Sequence, residues 1–309
     1  MRESVLTMPS EGFLNLLKPP GMTSHDVVAW ARVQLGIKRI GHLGTLDPAA
    51  AGVLPLSLGR ATRLFDYAAG ADKAYRAEIA FGLQTDTLDA EGAVISTGDA
   101  GGLIASEVSA LLTLFTGPVE QTTPAFSAVS VGGRRLHELA RAGAEVTGPK
   151  RQVTITSLEL VEFIPGHRAY ALLDIVCSPG TYLRALADDL GRAAGCGACL
   201  GFLVRTRAGR FQLGDSNTLE EIAERVAADT IGQSILPTDW PLADLPEVAL
   251  NARDALAFLH GTVTHTTSGP AERARVHGPS ALFLGLGEVL PGGALRPRLV
   301  LRSEDELPV

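Results

Sequence analysis

The stretch GHLGTLDPAAAG, residues 41 to 52, holds a single carboxylate, Asp47, among Gly, Ala, Thr, Leu and Pro. Pro48 removes a backbone donor and restricts Asp47 to extended or turn geometry. Gly41, Gly44 and Gly52 supply tight bends or close backbone approach. Taken alone, these residues predict a turn carrying an incidental acid. Their neighbours argue otherwise. His42 and Thr45 precede the acid, and an apolar run, Val53 to Leu58, follows it. A carboxylate presented on a loop beside a buried strand is placed for chemistry.

Upstream, the apolar run Phe13 to Leu17 reads as a strand broken at KPPGMTS. Ser24 is a suitable cap for a helix with Val27, Val28, Ala31 and Leu35 at helical spacing, stopped by Gly36. Residues 1 to 11 lack pattern and read as a flexible leader. Downstream, Ala61 to Ala69 reads as a helix. From Tyr75 to Phe81 the chain alternates strictly, with Tyr75, Ala77, Ile79 and Phe81 on the core side of a strand. The acidic, turn-rich GLQTDTLDAEGAV lacks the spacing and closing Glu of a calcium loop and reads as a solvated loop.

Residues 106 to 115 predict a helix, and a short helix from Gly133 carries Arg134, Arg135 and Arg141. Two strands follow, Val153 to Phe163 and Tyr170 to Cys177. SPGTYLRALADDLGRAAG is a turn and a helix with Thr181 at its N-cap and Leu183, Leu186, Ala187 and Leu190 on its buried stripe. A strand through Phe202 and Leu203 is flanked by Arg205, Arg207 and Arg210. Thr218 with Glu221 makes a capping box. The proline-rich segment 236–246 reads as a linker, and a small β-rich unit with FLGLGE and LRPRLVL follows. The residues themselves therefore describe a mixed α/β domain followed by a small β domain.

Composition narrows the function. The 309 residues are 46% hydrophobic and 20% charged, which is ordinary for a globular chain and excludes wholesale disorder. No window is long and apolar enough to span a membrane, and the first residues lack a signal peptide's pattern, so a cytoplasmic protein is expected. Cys177, Cys196 and Cys199 cannot build a disulfide framework, and the CGAC pair lacks two further ligands for zinc. The net charge of −7 is segregated: residues 1–84 carry +2 and 121–215 carry +3, whereas 85–120 and 216–309 carry −6 each. Arginine supplies 23 of the 27 basic residues. It is the better partner for phosphates and base edges, so an RNA-binding face is compatible with the overall acidity.

Five blocks, KPPGMTSHD (18–26), GHLGTLDPAAAGVLPLSLGRATR (41–63), DKAYRAEIAFGLQTDTLDAEG (72–92), SPGTYLRALADDLG (178–191) and GCGACLGFLVRTRAGRF (195–211), together resemble the bacterial TruB family of pseudouridine synthases. The resemblance spans about residues 12–240. It implies an α+β catalytic domain over that range, with a central, largely antiparallel sheet flanked by helices. The tail, residues 247–309, looks like the PUA RNA-binding domain that follows in this family.

The resemblance also implies an activity, isomerisation of uridine 55 in the T loop of tRNA, by a monomer with no metal and no cofactor. Position by position, it makes Asp47 the catalytic aspartate and Arg184, in GTYLR, its ion-pair partner. Tyr75 becomes the aromatic that stacks on the target base. Tyr182, Leu203 and Lys18 become substrate-binding residues, and His42 fills the space vacated by flipped bases. The residue types suit that chemistry. The reaction breaks the C1′–N1 bond, turns the uracil, joins C5 to C1′ and removes the C5 proton, with no redox change. One carboxylate can attack C1′, attack uracil C6, or take a proton to begin a glycal route. An anion in an apolar pocket needs a cationic partner, which Arg184 supplies. An aromatic face is worth roughly 1–3 kcal/mol to a stacked base, and unstacking that base first costs a few kcal/mol. Two other readings compete: a non-catalytic RNA-binding module, and a metal-dependent hydrolase recruiting Asp86, Asp89 and Glu91.

Overall fold

In a computed structural model describing residues 10–127, 129–142, 144 and 146–308, the apolar runs either side of the Asp47 stretch become adjacent strands. Strand β1 (Gly12–Lys18) pairs antiparallel with β3 (Ala51–Leu58), with Leu14 opposite Leu56 and Leu16 opposite Leu54. Between them lie helix α1 (Ser24–Leu35) and the short strand β2 (Ile40–His42). A 3₁₀ turn and the brief helix α2 (Phe65–Ala68) lead to β4 (Lys73–Phe81). Its core side is the expected one, Tyr75, Ala77, Ile79 and Phe81 all being buried.

A hairpin of β5 (Leu83–Thr85) and β6 (Val94–Thr97) precedes helix α3 (Ala105–Leu114) and β7 (Gly117–Thr122). Next come the small hairpin β8 (Ser130–Val131) and β9 (Arg134–Arg135), helix α4 (Leu136–Arg141), β10 (Lys150–Ile164) and β11 (Tyr170–Cys177). Helix α5 (Leu183–Ala194) then feeds β12 (Ala198–Ala208) and β13 (Phe211–Gln212). Helix α6 (Leu219–Ala227) and β14 (Ile235–Leu236) complete the first unit.

Outside the hairpins β5-β6 and β8-β9, the strands form one ten-stranded sheet ordered β14-β1-β3-β12-β4-β11-β10-β7, with β13 on β12 and β2 on β3. Every pairing is antiparallel except that of β12 with β3, where Val204 faces Ala51 and Arg205 faces Gly52. That parallel seam brings the Asp47 loop beside the arginine-rich strand. Helices α3 and α5 cover one apolar cluster, in which Val108, Leu112, Leu186 and Leu190 meet Ile79 and Leu173. Helices α1 and α6 cover a second, around Leu14, Leu56 and Ile222. Each such aliphatic side chain contributes about 1.5–3 kcal/mol by leaving water. No helix among the described residues is long and apolar enough to cross a membrane.

The tail forms a second, five-stranded sheet, ordered β15 (Glu247–Ala249), β17 (Ala271–His277), β18 (Phe283–Val289), β19 (Ala294–Val300) and β16 (Thr264–His265), with helix α7 (Ala252–Leu259) beside it. The architecture is thus α+β with a largely antiparallel central sheet and a β-rich C-terminal unit.

Several local expectations are corrected. Thr23, not Ser24, caps α1: its Oγ accepts from the Asp26 N–H at 3.0 Å, while the Asp26 carboxylate accepts from the Thr23 N–H at 2.8 Å. Tyr182, not Thr181, is the N-cap of α5; the Thr181 hydroxyl turns back to the Ser178 carbonyl. Arg134 and Arg135 lie on the exposed β9, ahead of the helix, because Gly132 and Gly133 take left-handed φ and form a hairpin. The side chain of Arg141 lies outside the described residues, as do residues 1–9 of the expected leader. Segment 236–246 is no loose linker. Trp240, Leu242 and Leu245 pack with Phe13, Phe211, Phe283 and Leu286 in a core shared by both units.

Candidate active site

Residues 43–50 between β2 and β3 form the loop that carries Asp47, and its backbone is held at almost every step. The Arg205 guanidinium donates to the Val53 carbonyl at 2.7 Å, to Gly44 at 3.0 Å and to Thr45 at 3.4 Å. The Ser24 hydroxyl engages both backbone groups of Leu46. The Lys18 ammonium donates to the carbonyls of Pro19, Pro48 and Ala50 at 2.9, 3.0 and 2.6 Å. Two glycines admit these neighbours. Gly52 has φ +112°, and a Cβ there would stand 2.3 Å from the Arg205 carbonyl oxygen. Gly44 has φ +111° and lies against Lys73 and Arg205.

Asp47 projects from this loop with its side chain 43% exposed. Arg184, one residue into α5 and almost wholly buried, meets it with a two-point contact: Nε donates to Oδ2 at 2.9 Å and Nη2 to Oδ1 at 3.3 Å. Such a fork fixes the plane of a carboxylate as well as its position. The remaining donors of Arg184 go to the carbonyls of Thr87 at 3.1 Å and Phe126 at 2.9 Å. A second carboxylate, Asp89, stands 3.6 Å from the same Nε. It is oriented by the Thr87 hydroxyl at 2.6 Å and the Glu91 N–H at 3.1 Å.

This ion pair sits in the wall of a cavity of about 630 Å³. Tyr75, Tyr182, Leu203, Leu200, Phe126 and Lys73 line it with the Asp47 loop. Leu200 and Leu203 are three apart, a spacing that a regular strand would split between its faces. A bulge between Leu200 and Phe202 resets the alternation, so both leucines face inward and Phe202 turns out. Tyr75 is buried beneath the cavity, its hydroxyl accepting from Arg205, and burial raises its pKa so that it stays a neutral phenol. Tyr182 is fixed by Gln121, which bonds both its N–H and its carbonyl, and Arg151 lies over its ring at 5.1 Å.

Of the residues singled out in the sequence, the structure brings Asp47, Arg184, Tyr75, Tyr182 and Leu203 to this one cavity. His42 and Lys18 are not among its lining. His42, at the end of β2, packs edge-on against His25 at 5.6 Å between ring centres. Burial lowers its pKa to about 4, and its Nδ1 has no hydrogen-bond partner among the described residues. Lys18, fully buried behind the loop, has its pKa lowered to about 8 by burial, partly offset by the charge of Asp47.

Charged lining residues that the sequence did not assign to this cavity include Asp89, Arg205 and Lys73. Asp89 belongs to the segment read as a solvated loop, yet that loop closes over Arg184. Arg205 had a usable signal, since it shares a strand face with Leu203 two residues earlier. Lys73, just before Tyr75, had none. Its ammonium donates to the carbonyls of Ala69 and Ala71, and burial lowers its pKa to about 8.

Residues 32–183 match the family described as "TruB family pseudouridylate synthase (N terminal domain)". Residues 184–243 match "tRNA pseudouridylate synthase B C-terminal domain", and 246–301 match "Pseudouridine synthase II TruB, C-terminal". The chain is 55% identical to the tRNA pseudouridine synthase B of Symbiobacterium thermophilum over 81% of its own length and 82% of the relative's. It is 43% identical to that of Acaryochloris marina over 95% and 99%. Among solved structures, a chain of an H/ACA RNP bound to a substrate RNA containing 2′-deoxyuridine superposes with a TM-score of 0.73. That match is 25% identical and covers 96% of this chain and 87% of the other. Sequence, fold and relatives agree: the chain belongs to the TruB family of pseudouridine synthases.

Proposed function

We propose that the chain is a tRNA pseudouridine synthase acting on uridine 55 of the T loop, and that the rearrangement depends on Asp47. The observation that carries this reading is the Asp47 carboxylate, held at two points by Arg184 in a cavity that Tyr75 and Leu203 also line. Relatives spanning most of the chain are named tRNA pseudouridine synthase B, which supports tRNA as the substrate. A cavity of about 630 Å³ has room for a nucleotide turned out of its stack.

In the proposed cycle the target uridine leaves the T loop and enters the cavity, stacking on Tyr75 between Leu203 and Tyr182. Asp47, aimed by Arg184, engages the nucleoside, and the C1′–N1 bond breaks with its electron pair on the base. The uracil turns, C5 bonds to C1′, the C5 proton is lost and N1 takes up a proton. Product and substrate are isomers, so atoms and electrons balance without an external reactant. Lys18 serves the substrate indirectly, by fixing the loop that presents Asp47. His42, held neutral by burial, supplies an uncharged ring at the loop's start to fill the gap left by the flipped base. The C-terminal unit, residues 247–309, acts as a PUA-like contact for the T arm of a monomeric, cytoplasmic enzyme.

Tritium release from C5-labelled uridine in a T-arm transcript tests the proposal. The native protein is expected to release tritium, and Asp47→Asn to be inactive while still binding RNA. Equal release by both proteins removes Asp47 from the mechanism. No release by the native protein removes uridine isomerisation in the T arm as the function.

A further inference from the structure

Two buried cations, Lys73 and Arg205, stand in the cavity wall without an acidic partner. Lys73 is 8% exposed and Arg205 fully buried. Unlike Arg184, neither belongs to an ion pair among the described residues. Both spend donors on neutral groups instead, Lys73 on the Ala69 and Ala71 carbonyls, Arg205 on Val53, Gly44, Thr45 and the Tyr75 hydroxyl. They converge on one point of the Asp47 loop. A Cβ at Gly44 would lie 3.3 Å from Lys73 Cε and 3.6 Å from Arg205 Nη1.

Burying a cation without an anion forfeits its hydration with no opposite charge to replace it. Carbonyl dipoles, a phenol and, for Lys73, the exposed Asp72 carboxylate next in the chain offset only part of that loss. A field of this kind is useful when negative charge develops inside the cavity. Resting on the proposed isomerisation, the chemistry supplies that charge. Whether Asp47 engages C1′, C6 or a proton of the sugar, the electron pair of the C1′–N1 bond passes to the uracil and spreads over N1 and the ring carbonyl oxygens.

The geometry points to Lys73, backed by Arg205, as the electrostatic group that stabilises the anionic uracil between cleavage of C1′–N1 and formation of C5–C1′. The cations are fixed in place before the charge appears, so little reorganisation accompanies its arrival. A low local dielectric magnifies their effect. The step balances: the electron pair released to the base is spent in forming the C5–C1′ bond, the C5 proton departs and N1 is protonated.

The surroundings of Lys73 give the inference a pH signature. It is faced by Arg205 from β12, by Cys177 from β11 and by Asp72 beside it in the chain. Arg205 remains a cation, and burial pushes the Cys177 thiol up to about 11, so it is uncharged at neutral pH. Lys73 itself loses its proton near pH 8. Isomerisation should therefore weaken as pH rises through that value.

The experiment compares native protein, Lys73→Met and Lys73→Arg in single-turnover tritium release, with RNA affinity measured alongside, between roughly pH 6 and pH 10. Lys73→Met is expected to slow release by roughly 10²-fold with RNA affinity unchanged. Lys73→Arg is expected to recover most of the rate and to lose the native fall near pH 8. A native rate in Lys73→Met, or a loss matched by weaker RNA binding, overturns the inference, as does an unaltered alkaline fall in Lys73→Arg. If the Met variant does not fold, the pH comparison of native and Arg proteins decides alone. Failure of the native protein to release tritium refutes the isomerase reading and this inference together. Native turnover with an indifferent Lys73→Met refutes this inference only.

Discussion

Ser24 and Leu46 are joined by two hydrogen bonds: the Leu46 N–H donates to Ser24 Oγ at 2.9 Å, and the Ser24 hydroxyl donates to the Leu46 carbonyl at 3.1 Å. One side chain thereby does for the loop what a paired strand would do, immediately before Asp47. Replacing Ser24 with Ala strands two buried backbone groups, at a cost of about 1–3 kcal/mol. Turnover should fall alongside stability, because the loop presenting Asp47 loosens. Denaturant midpoints and single-turnover rates measured together check this; a variant unchanged in both shows that the pair is dispensable.

Arg184 holds Asp47 through a fork that Lys cannot reproduce. Arg184→Lys keeps the charge and loses the second contact together with the anchors to Thr87 and Phe126. The expected outcome is a kcat lower by roughly 10²-fold or more with RNA affinity retained. Turnover near the native rate would mean that charge alone suffices.

Gly52 offers a purely steric test. At φ +112°, with a built Cβ 2.3 Å from the Arg205 carbonyl, Gly52→Ala must push apart the parallel seam of β3 and β12. A loss of about 2–4 kcal/mol is expected, from backbone strain and the displaced seam. Gly214→Ala, where nothing stands within 4 Å, should be close to neutral and serves as the control. Equal thermal midpoints for the two variants would contradict the reading of the seam.

His42 makes stability depend on acid. Its pKa is lowered by burial from 6.5 to about 4 in the folded protein. Between these values the unfolded chain binds the extra proton, so stability is fully present above about pH 6.5 and is lost as pH falls toward 4. The loss is on the order of 2–3 kcal/mol. Urea titrations at several pH values should show this slope in the native protein and a flatter one in His42→Gln. Parallel curves would assign the acid sensitivity to other groups.

Much of the site was legible because local pattern and tertiary role coincide. The alternation from Tyr75 to Phe81 fixes which side of β4 is buried, and the glycines and Pro48 mark an irregular segment around Asp47. What escaped reading depends on partners far along the chain. Asp89 looks like a turn acid until Arg184, 95 residues later, closes on it. Ser24 looks like a cap because its use lies at Leu46, leaving the capping to Thr23. Phe202 and Leu203 sit in a strand whose bulges break the period of two, so alternation misassigns one side of it. Segment 236–246 reads as a linker from its prolines, although its Trp and Leu side chains complete a core that no nearby stretch reveals.

That shared core has a consequence in time. Phe13, in the first strand, packs in one cluster with Phe283, Leu286 and Leu301, and β14, which borders β1, is more than 200 residues away. Glu11 and Arg60 are tied to Arg302 and Glu306 near the other end. A chain leaving the ribosome from its N-terminus therefore exposes β1 long before β14 and the C-terminal side chains that cover Phe13 exist. Closing contacts of such long sequence separation is slow. Strand β1 can pair with β3 early, but its other border and the cluster around Phe13 wait for residues made more than 200 positions later.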